Sequence, residues 1–453
     1  MNPARSLLFS LTFALAAGPL VAAEPPAYTS DGTPKPAQAV PDALDLPTAL
    51  SFALDNNFTI RQAKERIRQQ EGVVLEVRAA QIPNISASGL YQRDKVEIGP
   101  TGEDRYWSFN VTARQTLYAG GGVTASVRSQ QLTLAAAVLT LQSFINDALL
   151  DVRTRFYTVL VDRERIKVQE QNVELLRRQL QDVKNRYEAG TVSNFEVLRS
   201  EVALANAQPA LITARNDYRL AIEELRKTLG FVTATEPNVT KIPEFVGTLE
   251  FVPVSFELKS ALATARERRP DLQRLRKLET AAEEGVLARR AGYQPNLALF
   301  GAYDWKMTPG SNSFSGSRDG WTVGLSTTWN VFDGRATAGR VAQARSLLEQ
   351  ARLSTAEAQL SVDVEARRAL STLQQATELA EASKKVVEQA EESLRLANAR
   401  FSAGSATQLD VLTSQVDLTT ARLNQLQAYY SYNVAVASVR RALGLSDELK
   451  PGA

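Results

Sequence analysis

RYEAGTVSNFEVL at residues 186–198 and RFSAGSATQLDVL at residues 400–412 are two versions of one segment. Both begin with Arg and an aromatic residue, contain Ala-Gly, and carry an acidic residue before Val-Leu. Each also contains a capping box, Ser193-x-x-Glu196 in the first and Thr407-x-x-Asp410 in the second, a pattern that opens helices. The segments therefore predict one helix-opening turn at two places, 214 residues apart.

The two segments belong to a tandem repeat, the first feature to look for in a long chain. Further matches are Pro83-Asn84 with Pro295-Asn296, Trp107 with Trp321, and Leu229-Gly230 with Leu443-Gly444. We therefore divide the chain into a first repeat, 48–230, and a second repeat, 260–444. The joining segment, 231–259, contains three prolines and is expected to be irregular with short strands.

The N-terminus has the features of a signal peptide over residues 1–23. Arg5 precedes an apolar run at 7–17 that is too short to span a bilayer, and small residues precede Glu24. We expect an exported protein, with an extended N-terminal segment over 24–47 and a C-terminal tail over 445–453.

Composition excludes several classes of function. The chain has 52 basic and 50 acidic residues, a balance that gives no electrostatic footprint for nucleic acid. It contains no His and no Cys, which removes imidazole catalysis, disulfides and the usual zinc sites. We expect no enzyme activity, no cofactor and no metal site, because the remaining carboxylates are scattered along helix faces.

Long helices are predicted wherever Pro and Gly are missing. Neither Pro nor Gly occurs over 123–189 or over 340–403. We therefore predict long helices over 123–189 and 335–403. Apolar residues there alternate in spacings of three and four, as in a coiled-coil seam. Each would be roughly 100 Å long at 1.5 Å per residue. The shorter helices 48–82 and 193–229 together match the first long helix, so we expect them to stack end to end beside it; the second repeat has an opening helix and a helix over 407–443.

Between the short and long helices the apolar period changes to two, which predicts β-hairpins over 83–118 and 295–332. One face of each hairpin is apolar over about eleven residues, enough for a tilted transmembrane strand. The four tryptophans, Trp107, Trp305, Trp321 and Trp329, fall near strand ends, as membrane-interface aromatics do. A half-buried sheet in a soluble protein is the alternative. Four strands cannot close a barrel, so several chains would contribute, as a dimer or a trimer.

These features together resemble the TolC-type outer membrane efflux proteins. The resemblance is carried by the repeat, the two turns, the strand-to-helix junctions QTLYAGG and WNVFDGR, and the repeat endings LRKTLGF and VRRALGL. It implies an α+β membrane protein with a tandem-repeat TolC-like fold. Four strands per chain would complete a trimeric 12-stranded β-barrel, continued by a long antiparallel α-helical periplasmic barrel with 231–259 at its equator.

The resemblance also implies a function. Such a homotrimer is a passive exit duct in the outer membrane that extends into the periplasm and has lipid around its barrel. It docks a periplasmic adaptor and an inner-membrane pump to expel small molecules such as drugs and toxic compounds. An outer-membrane channel for type I protein secretion, or an exported structural coiled coil, would be the alternatives.

By the same resemblance, the turns are the periplasmic tips where the adaptor docks. The implied docking residues are Gly190, Thr191, Val192, Ser193, Gly404, Ser405, Ala406 and Thr407. Some members have a gate-tethering Arg where this chain has Ala406. Glu196 and Asp410 are candidates for the periplasmic gate and for selectivity, because a ring of three carboxylates would favour cations. Helix capping alone would explain both residues.

Overall fold

The computed structural model describes residues 43–93, 105–231, 243–307 and 317–445. Outside them lie the predicted signal peptide 1–23, residues 24–42, the hairpin loops 94–104 and 308–316, residues 232–242 of the joining segment, and residues 446–453.

A short strand, β1 (Ala43–Leu44), precedes the first repeat. The first repeat consists of α1 (Leu46–Asn56), α2 (Phe58–Arg78), β2 (Asn84–Arg93), β3 (Arg105–Ala119), α3 (Gly122–Glu188) and α4 (Asn194–Leu229).

A second short strand, β4 (Glu244–Phe245), precedes the second repeat. The second repeat consists of α5 (Leu258–Arg268), α6 (Pro270–Arg290), β5 (Asn296–Met307), β6 (Ser317–Thr328), α7 (Ala336–Ser402) and α8 (Gln408–Ala442). Both α3 and α7 have 67 residues, so each is roughly 100 Å long.

The prediction of one continuous helix over 48–82 is wrong, because the chain breaks between α1 and α2 at Asn57. Its backbone is extended at ψ 126°, and its side-chain oxygen accepts the amide proton of Thr59 at 2.9 Å. The Asn57 amide nitrogen also donates to the Thr228 carbonyl oxygen, 2.7 Å away near the end of α4. Asn57 thus caps the start of one helix and the end of another.

The second repeat has the same break, with different chemistry. Arg269 lies between α5 and α6 with ψ 121°, as expected for a residue before a proline, here Pro270. Its guanidinium reaches the Ala442 carbonyl oxygen at the end of α8 and pairs with Asp271 and Glu365.

Each break lies where another helix ends, which lets the short helices stack along the long ones. A Cβ at Gly230 would lie 2.3 Å from the carbonyl oxygen of Asn56, and a Cβ at Gly444 would lie 3.0 Å from that of Arg268. The ends of α4 and α8 therefore press against the breaks. Near the sheet the helices form a row α2–α3–α6–α7, and towards the turns a row α4–α3–α8–α7.

Hydrophobic clusters fill the middle of the helical layer, where β1 and the joining segment cross it. In the first repeat, Phe156 of α3 is buried with Leu225 of α4 and Phe245 of β4. The two-residue strands β1 and β4 pair in parallel over this cluster. In the second repeat, the Tyr432 hydroxyl binds the segment that precedes α5, accepting from the Val254 amide at 3.1 Å.

The larger sheet is antiparallel, with strand order β2-β3-β5-β6. Paired residues share a face, so the register separates an apolar face from a polar one. The apolar face contains Ile85, Tyr91, Phe109, Val111, Leu297, Leu299, Trp305, Val323 and Leu325. On the polar face, Asn110 donates to the carboxylate of Asp304 across the β3–β5 pair at 2.6 Å.

Two details of the sheet differ from strict alternation. A bulge between Thr116 and Tyr118 shifts the register of β3, so Tyr118 pairs with Leu297 and lies on the apolar face. The second hairpin was predicted to reach residue 332, but β6 ends at Thr328, which leaves Trp329 beyond the strand.

The helix α3 has an unusually apolar surface. It contains an 18-residue window of mean hydropathy 1.4, long and apolar enough to cross a membrane, of which 17% is buried within the chain. We assign α3 to the helical layer rather than to a membrane span, because it packs against α2, α4, α6 and α8.

Candidate functional site

The two repeated turns have the same backbone hydrogen bonds. At the end of α3, Gly190 donates to the Tyr187 carbonyl at 2.9 Å and Thr191 donates to the Arg186 carbonyl at 2.9 Å. At the end of α7, Gly404 and Ser405 make the equivalent bonds at 3.1 and 2.8 Å. These are Schellman motifs, which need a left-handed residue after the helix.

The turn glycines supply that conformation. Gly190 has φ +72° and Gly404 has φ +76°. No described atom lies within 4 Å of a Cβ built at either position. Glycine is therefore required here by backbone conformation and not by close packing.

The helices that follow the turns begin differently, although both carry the capping-box sequence. At α8 the box is complete: the Thr407 amide and hydroxyl donate to the Asp410 carboxylate at 2.7 and 2.8 Å, and the Asp410 amide donates to the Thr407 hydroxyl. At α4 the prediction is wrong, because the Ser193 side chain makes no capping hydrogen bond within the described chain. The nearest charged group to the Glu196 carboxylate is Arg199, at 4.0 Å.

Asp410 is an exposed carboxylate held in its ionised form. Hydrogen bonds from the backbone and the side chain of Thr407 lower the pKa of Asp410 below its usual value of 3.8, and the charge of Arg400 acts in the same direction. The carboxylate is therefore charged throughout the neutral range. It lies one turn from the end of the molecule farthest from the sheet.

The two turns lie side by side at that end. Since α3 and α7 both start at the sheet and have equal lengths, their ends are level with each other. The guanidinium carbon of Arg186 lies 4.8 Å from the ring centre of Phe401, a cation–π contact between the helix ends. Below it, the side chain of Gln408 donates to the buried hydroxyl of Ser200, which joins α8 to α4.

The predicted docking residues form the surface of this end. Gly190, Thr191, Ser193, Gly404, Ser405 and Thr407 are exposed, whereas Val192 and Ala406 are half-buried. With no carboxylate or cation among these eight residues, the surface has no strong charge of its own. The repeated geometry brings all of them together at one place.

Polar side chains join the two helical hairpins above the turns. The Asn172 amide oxygen of α3 accepts from Gln415 at 3.2 Å and from Thr419 at 3.3 Å, both on α8. Arg422 donates to Gln171 of α3 at 3.2 Å and to Glu391 of α7 at 2.8 Å. These links were not predicted, because only the three-dimensional pairing of α3 with α8 identifies them.

Three of the four tryptophans lie at the loop end of the sheet. Trp107 packs edge-on against Trp305 with ring centres 5.1 Å apart, and it is covered within the chain. Trp305 and Trp321 are exposed on the apolar face. At the opposite end, Trp329 donates its indole N–H to the Tyr293 carbonyl at 3.1 Å.

Within the described ranges, no group of three or more Asp, Glu, His or Cys residues is placed to hold a metal ion. The arrangement instead combines an apolar-faced open sheet with helices about 100 Å long that end in paired turns. Together these define a class, outer-membrane channels that continue as a helical tunnel in the periplasm.

Comparison with known proteins identifies the family. The model of the outer membrane efflux protein family matches residues 49–231 and 261–445, and the chain belongs to this family. Protein CyaE of Bordetella pertussis is 28% identical over 364 residues, covering 77% of this chain and 76% of CyaE. The cobalt-zinc-cadmium resistance protein CzcC of Cupriavidus metallidurans is 24% identical over 427 residues, covering 88% of this chain and 90% of CzcC.

A solved structure shows the same fold. The crystal structure of the CmeC outer membrane channel of Campylobacter jejuni aligns with a TM-score of 0.75 at 15% identity, covering 88% of this chain and 85% of CmeC. The TolC-type resemblance, the tandem-repeat fold and the outer-membrane location with a periplasmic extension are thereby confirmed. The protein is an outer-membrane efflux channel.

Proposed function

We propose that the chain forms a homotrimeric, passive exit duct that docks a periplasmic adaptor and, through it, an inner-membrane pump. The observation that carries the proposal is the meeting of two turns, 186–198 and 400–412, at one end of the chain, about 100 Å from the sheet. A trimer would place six such turns around the periplasmic opening. Twelve strands would then close the barrel that four leave open.

The docking surface is formed by the eight residues from Gly190 to Ser193 and from Gly404 to Thr407. Its exposed backbone and small side chains suit a partner that packs closely against glycine turns. The weak charge of the surface favours recognition by shape rather than by ion pairs. The half-buried Val192 and Ala406 would supply the apolar contacts.

Asp410 is the better of the two gate candidates. It is exposed and charged, and a trimer would place three such carboxylates one turn above the tips. A ring of this kind favours cations and disfavours anions. Glu196 is half-buried beside Arg199, so its charge is partly balanced within the chain.

The cargo we propose is small solutes. The name of CzcC, which matches most of this chain, refers to cobalt, zinc and cadmium resistance, and this supports toxic solutes as the cargo of the duct proposed here.

The test replaces the turn glycines with a bulky residue in cells where this chain is the only duct. Gly190→Leu and Gly404→Leu should abolish export of toxic compounds, because the side chains project into the open space that the adaptor would occupy. The trimer should persist in detergent. Gly339→Leu is the control, since this glycine also has open space around it but lies near the sheet in α7.

Normal resistance in cells carrying either turn variant would contradict docking at the tips. Loss of the trimer together with export would instead assign these glycines to folding. Equal loss of export in the Gly339 variant would remove the specificity on which the docking proposal depends.

A further inference from the structure

A basic pocket lies just on the helical side of the sheet, in the second repeat. It has a volume of about 490 Å³ and lies between the end of α6 and the first turns of α7. Its lining residues are Arg290, Tyr293, Gln294, Ala338, Val341, Ala342 and Arg345. Two arginines therefore line the pocket together with three apolar residues, Ala338, Val341 and Ala342, which we call its apolar floor.

The pocket adjoins the apolar face of the sheet. The hydroxyl of Tyr118, which the bulge turns onto that face, contacts the side chain of Gln294. The indole of Trp329 binds the carbonyl of Tyr293 from the same end of the sheet. Aromatic residues with a polar atom are typical of the edge of a bilayer. The pocket thus lies at the level of the lipid head groups of the periplasmic leaflet.

Neither arginine is neutralised by the protein. Arg290 and Arg345 have no hydrogen-bond or ion-pair partner among the described residues. Of the acidic residues closest along these helices, Glu283 and Glu349 are engaged by Arg352, at 3.1 and 3.8 Å. Glu284, the third, makes no ion pair with Arg290 or Arg345 within the described residues. The pocket therefore has uncompensated positive charge.

The first repeat shows that the fold does not need both arginines. At the matching positions it has Arg78 for Arg290, Gln81 for Tyr293 and Gln131 for Arg345. The helix dipole would favour a cation at Arg290, which is in the last turn of α6. Arg345 gains nothing from it, because it lies in the third turn of α7, near the positive end of that dipole.

We propose that this pocket binds the phosphate group of an anionic phospholipid of the periplasmic leaflet, one lipid per chain. Guanidinium groups bind phosphate through paired, charge-assisted hydrogen bonds, and basic pockets between helices at a membrane surface bind lipid head groups. Tyr293 and Gln294 add polar contacts, while Val341 and its neighbours pack against the glycerol region. The site requires the outer-membrane location of the family and is independent of the docking proposal.

Native mass spectrometry of the detergent-extracted assembly tests the site, with phosphatidylglycerol added as the probe. The wild-type trimer should retain up to three lipids. Arg290→Gln/Arg345→Gln should weaken retention by about tenfold or more, the effect of losing charge-assisted hydrogen bonds. The matched control is Arg78→Gln/Arg128→Gln, which removes two exposed arginines from the same level of the first repeat and should retain lipid as the wild type does.

The source of the phosphate is tested in the same measurement. Inorganic phosphate in excess should leave the lipid bound, because the acyl chains and apolar floor also contribute; its displacement of the lipid would overturn the lipid assignment in favour of a free-anion site. If the double variant does not assemble, Arg345→Gln alone, which installs the first-repeat residue, should still reduce retention. Equal retention in the pocket variant and the control, or no retention by the wild type, would overturn the proposal.

Discussion

The position of Asp410 makes its observed capping role compatible with the gate role that we propose. Its carboxylate closes the capping box of α8 and is exposed near the end of the chain. A cap accepts hydrogen bonds in the plane of the first helical turn and leaves the negative charge accessible to solvent. The same residue can therefore hold the helix start and act on ions that pass it.

We predict that Asp410→Ala lowers the cation selectivity of the channel in planar bilayer recordings. The reversal potential in a salt gradient should move towards that of an unselective pore. Because hydrogen bonds from Thr407 lower the Asp410 pKa, the carboxylate stays charged as the pH falls, and the wild-type selectivity should be the same at about pH 7 and about pH 5. Glu196→Ala should have the smaller effect. An unchanged reversal potential in Asp410→Ala would leave this residue with its capping role alone.

The glycines that follow α3, α4, α7 and α8 have one backbone conformation but different surroundings; they are Gly190, Gly230, Gly404 and Gly444. Gly230 and Gly404 have φ +79° and +76° and both end Schellman motifs. A Cβ at Gly230 would overlap the carbonyl oxygen of Asn56, at 2.3 Å, whereas a Cβ at Gly404 would have no described neighbour within 4 Å. Although Gly230 and Gly404 have the same backbone conformation, Gly230 should therefore tolerate substitution by a larger residue less well than Gly404.

Substitution by alanine separates the cost of the left-handed backbone from the cost of close packing. Gly404→Ala should cost roughly 1–2 kcal/mol, the penalty of a left-handed non-glycine residue. Gly230→Ala should cost a further ~1–3 kcal/mol, because α4 must move away from the break between α1 and α2. The measurement is the midpoint temperature at which the detergent-solubilised protein unfolds. Equal shifts for the two variants would contradict the close packing of Gly230 on Asn56.

At the scale of helices, the two helical hairpins differ in how their second helices begin, although their sequences predict the same capping box. The boxes at Ser193 and Thr407 are equivalent in pattern, yet only Thr407 caps its helix. The start of α8 is held by its own cap, whereas the start of α4 has no side-chain cap. The Gln408–Ser200 hydrogen bond ties the two helices together.

This difference predicts unequal effects of removing the two hydroxyls. Thr407→Ala should destabilise the first turn of α8 by about 1 kcal/mol, and amide hydrogen exchange there should speed up on the order of fivefold. Ser193→Ala should leave exchange at the start of α4 unchanged. Hydrogen exchange read by mass spectrometry checks both; a similar acceleration at the two helix starts would show that Ser193 also acts as a cap.

The elements were predictable because they rest on local chemistry. Long stretches without Pro or Gly form α3 and α7, and alternation of apolar residues marks the strands. The break at Arg269 has a local signal, since Pro270 follows it. The break at Asn57 was not predictable, because Asn57 looks like an ordinary helix residue until the end of α4 is brought against it. The bulge before Tyr118 is equally hidden, because it is a property of pairing with β5 and not of β3 alone.

The candidate site could be predicted in part for the same reason. The turn at Gly190 and Gly404 follows from the repeated sequence, and so does the cap at Asp410. The contact of Arg186 with Phe401 and the links from α3 to α8 require residues more than 200 positions apart to meet. The arginine pocket also needed the structure, since Arg290 and Arg345 belong to different helices.

At the scale of the whole molecule, the chain is incomplete alone. Among the described strands, the sheet ends in two open edges at β2 and β6, which lipid would not tolerate. The apolar window of α3 is also poorly covered within one chain. Both features are explained if neighbouring copies complete the barrel and the helical wall.

The measurement that tests this most directly is electron microscopy of the mature protein after extraction in detergent. A trimer should appear as a three-fold tube well over 100 Å long, because helices of about 100 Å continue into strands that span a membrane. One end should carry a detergent belt around the barrel, and the other should taper at the turns. Compact particles, or thin rods that remain in solution without detergent, would contradict the account.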